Sequence, residues 1–75
     1  MERNLVGRRV REGRVQATPR VTQVELAARL EVRGLKISQA AISKIENGTR
    51  PVSDVEVAAL AEALGVSAGW LLSER

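Results

Sequence analysis

The feature that most limits what this chain can fold into is its punctuation. Thr22 with Glu25, and Ser53 with Glu56, each form a Ser/Thr-x-x-Glu box. In such a box the hydroxyl accepts from the N–H three residues on, and the carboxylate reaches back to the cap's own N–H, so each box starts a helix. Ser38 and Ser67 are further N-cap residues. Gly34, Asn47-Gly48 and Gly65 are left-handed helix stops, and Thr18-Pro19 discourages helix. Between these marks only short helices fit, and five are expected: about 5–14, 22–33, 38–47, 53–64 and a last one after Ser67.

Apolar residues recur at helical spacing inside each piece. Leu5, Val6, Val10 and Gly13 share a face of the first helix. Leu26, Ala27 and Leu30 mark the second, Ile42 and Ile45 the third, and Val57, Leu60, Ala61 and Leu64 the fourth. Leu35 and Ile37 return the link between the second and third helices to the core, and Trp70, Leu71 and Leu72 fall in the last helix. No segment keeps a strand-like alternation, so the expected class is all-α, a compact five-helix bundle.

With 75 residues the expectation is one small domain over 1–75, near the lower size limit for a self-sufficient core. The absence of Cys and His removes disulfides and the usual zinc sets, and no metal or cofactor is expected. No apolar run is long enough to cross a membrane and no signal peptide is visible, so a cytoplasmic location is expected. Catalysis has little to stand on without His, Cys or Tyr. Asp54 and Glu56 read more simply as the acidic first turn of a helix, favoured by its dipole, and Gly34 and Gly48 as helix stops instead of a phosphate-binding loop.

The net charge of +3 hides a gradient: +4 over residues 1–20, +2 over 21–50 and −3 over 51–75. A basic front suits a polyanion, although an arginine bias of this size also serves as an ordinary solvated surface. The third helix is more specific. Opposite Ile42 and Ile45 fall Ala40, Ser43, Lys44 and Asn47, with Gln39 at the N-terminal edge and Ala41 and Glu46 on the flanks. The outward face has no carboxylate, whereas an ordinary solvated helix mixes both signs. Its residue types suit the DNA major groove: Gln pairs with adenine, Lys donates to guanine, Ala meets a thymine methyl, and Ser bonds to either kind of edge. Asn47, Thr49 and Arg50 follow at the helix end with groups that hold a sugar-phosphate backbone. A merely solvated polar face remains open on these residues alone.

Four stretches, VGRRVREGR, TQVELAARL, ISQAAISKIENGTRPV and LAEALGVSAGWLL, together resemble the five-helix DNA-binding domain of phage repressors and Cro, the xenobiotic-response-element family of bacterial regulators. The resemblance implies a lambda-repressor-like helix-turn-helix, with Thr22 to about Arg33 as positioning helix and Gln39 to Asn47 as recognition helix. By position it implies base contacts from Gln39, Ala40, Ser43 and Lys44. It implies backbone contacts from Gln23, Asn47, Thr49 and Arg50, and a structural ion pair between Arg14 and Glu46. Trp70, with Leu71, falls in a region that often contributes to a dimer contact, although the only aromatic in so small a domain is also a natural core filler.

The chain departs from the family pattern in two places. Between Leu30 and Ser38 it reads EVRGLKI, five residues longer than the usual link, so the positioning helix is expected to gain a turn. Gly13 stands where the family often has leucine, which implies a thinner core under the first helix. The function implied is a transcriptional regulator, a repressor binding a palindromic operator in double-stranded DNA as a homodimer. No effector-sensing segment is expected after Trp70, so control would come from expression level, a partner or proteolysis. Two other uses of the fold stay open: the antitoxin of a toxin–antitoxin pair, and an adaptor that binds protein in place of DNA.

Overall fold

A computed structural model describes residues 5–73, with the backbone alone for Leu5. Its helices are α1 (Leu5–Gln16), α2 (Gln23–Val32), α3 (Gln39–Asn47), α4 (Asp54–Leu64) and α5 (Ala68–Leu72), with no strand among the described residues. The caps do what their chemistry dictates. Thr22 Oγ1 accepts from the Glu25 N–H at 3.0 Å while the Thr22 N–H donates to Glu25 Oε1 at 2.8 Å. Ser53 and Glu56 repeat the exchange at 3.3 and 3.0 Å. Ser38 accepts from Ala41 N–H at 3.1 Å and Ser67 from Trp70 N–H at 3.0 Å.

α1 outlasts its expected end at Arg14 and runs to Gln16. The Arg14 carbonyl accepts from Val21 N–H at 3.0 Å, and the Arg14 guanidinium donates to the Val21 carbonyl at 3.1 Å. These two bonds bring the chain back beside α1 through a loop that contains a cis Thr18-Pro19 peptide. The added length before α3 is shared out. α2 runs two residues past Leu30 and turns at Arg33-Gly34, where Leu35 N–H closes on the Leu30 carbonyl at 3.0 Å. The remainder forms an open link that buries Ile37.

The core is assembled from the apolar face of every helix: Val10, Leu26, Leu30, Ile42, Leu60 and Leu71 are fully buried, and Ile45, Val21 and Ala63 nearly so. α1 packs on α3, α4 and α5, while α2 packs on α3 and α4. Arginines tie α2 to α4 at the rim, Arg29 donating to the Ala63 carbonyl at 3.0 Å and Arg33 to Glu62 at 2.9 Å.

Two expectations are corrected here. Gly13 does not thin the core. A Cβ built on it would stand 3.3 Å from Leu64 Cδ1 and 3.5 Å from the Trp70 ring, so the missing side chain is the seat of the tryptophan. Trp70 is half-buried there, with the Arg9 guanidinium 4.7 Å from its ring centroid in a cation–π contact. Leu71 is fully buried in the chain's own core and has no surface to offer a second copy. Its neighbour Leu72 is the exposed large apolar residue of that turn.

Candidate nucleic-acid interface

α3 is the element on which the site is built. Ser38 opens it, Gly48 closes it at φ +81°, where a side chain would be strained, and Ile42 and Ile45 anchor its inner face. Gln39, Ala40, Lys44 and Asn47 are left exposed and Ser43 half-buried on the outer face. No carboxylate shares that surface, because Glu46 is turned inward.

Glu46 is the hinge of the local chemistry. Arg14 on α1 donates to it twice, Nε to Oε2 at 2.7 Å and Nη2 to Oε1 at 2.8 Å, in the bidentate geometry that suits guanidinium and carboxylate. The two side chains are only 11% and 5% exposed. The bond to Glu46 raises the Arg14 pKa above its ordinary value against the opposing effect of burial. Gln23, the first residue of α2, adds a third bond, donating from Nε2 to Glu46 Oε1 at 3.0 Å. Gln39 then donates from Nε2 to Gln23 Oε1 at 2.7 Å.

This relay has a fixed direction. An ionised carboxylate only accepts, so Gln23 must turn its NH₂ toward Glu46 and its oxygen toward Gln39. Gln39 must in turn offer its own NH₂ to Gln23, which leaves its Oε1 and one N–H for a ligand. One acceptor beside one donor is the complement of the N6 and N7 edge of adenine. The side chain at the head of α3 is therefore oriented by the protein itself.

The sequence-named backbone residues divide into two groups. Gln23 belongs to the relay, and Asn47 is exposed at the helix end. Thr49 and Arg50 are engaged within the protein. Thr49 closes α3, its N–H and hydroxyl both reaching the Lys44 carbonyl at 3.0 and 3.3 Å. Arg50 grips Glu56 with both terminal nitrogens at 3.2 and 2.9 Å and also reaches the Pro51 carbonyl. Neither Gln23 as a bridge nor Arg50 as a clamp on α4 was read from the sequence. Both partnerships join residues on different elements, and no spacing rule covers such pairs.

A bundle of short helices, with the polar and carboxylate-free outer face of α3 presented beside the N-terminus of α2, has the arrangement of a helix-turn-helix. A helix-turn-helix family model matches residues 20–71, from just before α2 to Leu71 in α5. The chain belongs to that family, of the Cro and repressor type, whose domains are regulatory DNA-binding modules and not catalysts. No curated protein and no solved structure matches it. Among the described residues no helix is long and apolar enough to cross a membrane.

Proposed function

We propose that this chain is a sequence-reading transcriptional repressor that binds a palindromic operator as a homodimer. The observation that carries this is the oriented Gln39: a helix whose leading amide is set by an internal relay is arranged to discriminate between base edges. Lys44, five residues further along the exposed side of α3, is suited to the guanine acceptors, with Ala40 and Ser43 between them. Gln23 and Asn47 flank this strip as backbone contacts.

Dimensions support the dimer. The described chain spans 32 Å along its longest axis and carries one such helix. Equivalent faces of successive major grooves lie about 34 Å apart, so two half-sites call for two copies. Trp70 and the exposed Leu72 are the apolar groups of the α5 turn available to that contact. Occupying a promoter in this way represses it without any bound effector.

Selection of duplexes from a random library at about 0.15 M salt, where nonspecific phosphate attraction is already weakened, tests the reading. The expected product is a two-fold symmetric motif with adenine at the position lost in Gln39→Ala. Retention without a motif would reduce the basic front to a generic polyanion surface, and no retention would leave the surface to a protein partner.

A further inference from the structure

On the far side of the Arg14–Glu46 pair, a groove of about 530 Å³ runs between the outer face of α1 and the loop before α2. It is lined by Arg8, Arg11, Glu12, Val15, Arg20 and Glu46. Its two carboxylates are both bonded to cations outside this lining, Glu12 to Arg9 at 3.1 Å and Glu46 to Arg14 at 2.7 Å. Arg11 and Arg20 are different. Both are exposed, and among the described residues neither has a hydrogen-bond or ion-pair partner. Most other arginines of the chain are spent within the fold: Arg9 on Glu12 and Trp70, Arg14 on Glu46, Arg29 on Ala63, Arg33 on Glu62 and Arg50 on Glu56.

The groove is continuous with the reading surface. Glu46 belongs to its wall and to the relay that ends at Gln39, and Arg20 lies three residues before Gln23, at the positive end of the α2 dipole. We propose that Arg11 and Arg20 form a second grip on the DNA backbone, holding phosphates beyond those met at the N-terminus of α2. This grip rests on the DNA-reading assignment above and enlarges its footprint, because phosphates bordering α1 lie to the side of the bases under α3. It carries no sequence information. It adds affinity and salt dependence, and it replaces the contact that Arg50, engaged with Glu56, does not have free to make.

The test is the salt dependence of binding for the wild-type chain, Arg11→Gln, Arg20→Gln and the double variant, on the selected duplex and on the same duplex shortened at its outer ends. Each lost phosphate contact lowers the slope of log K against log salt by about 0.9, so the wild-type advantage over the double variant should shrink about tenfold between 50 and 200 mM salt. The selected motif should be unchanged in every variant, and the thermal midpoint should hold, since among the described residues neither arginine has a bonding partner. On the shortened duplex the wild-type slope should fall to that of the double variant. A wild-type chain that selects a motif while the double variant keeps the same slope overturns the second grip and leaves the DNA-reading assignment standing. A wild-type chain that binds no duplex even at low salt overturns both.

Discussion

Among the described residues two arginine–glutamate pairs are bidentate, and they serve different ends. Arg14–Glu46 is 11% and 5% exposed, joins α1 to α3 between residues 32 positions apart, and extends through Gln23 to the head of α3. Arg50–Glu56 is 32% and 16% exposed, spans a single turn, and ends in the capping box of α4. The chemistry of the two pairs is the same. Depth and connection separate them: the first links the core to the outer face of α3, whereas the second finishes a helix start.

Arg14→Ala should have the largest effect. It leaves Glu46 desolvated with its cation removed, which costs about 3 kcal/mol for a pair buried this deeply. In a domain of this size that lowers the thermal midpoint by more than about 12 °C. Replacing both partners, as in Arg14→Met with Glu46→Leu, should recover much of the stability, because no charge is then stranded. The recovered protein should still read DNA less sharply, since Gln23 has lost the acceptor that oriented it. Thermal denaturation and duplex selection on the same variants separate the two losses. A midpoint unchanged by Arg14→Ala would reduce the buried pair to the rank of the exposed one.

Next in size are the outer residues of α3. Lys44→Ala should weaken binding to the selected duplex by about 1 to 3 kcal/mol and relax one base position. Gln39→Ala should do the same at the adenine, without the loss of stability seen for Arg14→Ala. Titration of the selected duplex against single-base variants checks both. An equal loss on every sequence would move Lys44 from the bases to the backbone.

The fold was legible in the sequence because its signals are local. Each cap and stop sits within a few residues of the group it satisfies, as Thr22 does with Glu25 and Ser53 with Glu56, so spacing alone finds them. The inward faces followed from the helical period. The site was legible only in part. Residue types named the outer face of α3, but the direction of the Gln23–Gln39 bond depends on a carboxylate 23 positions from Gln23. The same limit explains Gly13 and Leu71. Whether a glycine leaves a gap depends on what fills it, here Trp70 from the other end of the chain, and whether a leucine faces out depends on where the last helix docks.

The shallow pair gives the smaller effects. Arg50→Ala should cost about 1 kcal/mol or less, the range for a pair near solvent. It should leave DNA affinity nearly unchanged if its guanidinium stays on Glu56 in the complex. A loss as large as that of Lys44→Ala would show that Arg50 leaves Glu56 for the backbone when DNA binds, and titration with the selected duplex decides between them.

Acid separates the pairs most finely. Arg50, foremost, and the Ser53 N–H hold the Glu56 carboxyl below its ordinary range despite some burial. A carboxylate whose pKa is lower folded than unfolded adds stability that is fully present above the unfolded value and is lost as the pH falls through the folded one. The α4 start should therefore weaken progressively as the pH falls through the ordinary carboxylate range and below it, by less than about 1 kcal/mol. Glu56→Gln keeps a side chain able to complete the capping box. It should lower stability slightly at neutral pH and flatten the loss on acidification, and Arg50→Ala should flatten it too, because Arg50 is the main cause of the depressed pKa. Thermal midpoints of the three proteins between about pH 3 and pH 7 measure this. Parallel curves would show that Glu56 matters as a cap and not as a charge, so that its bond to Arg50 adds nothing that a neutral amide would not.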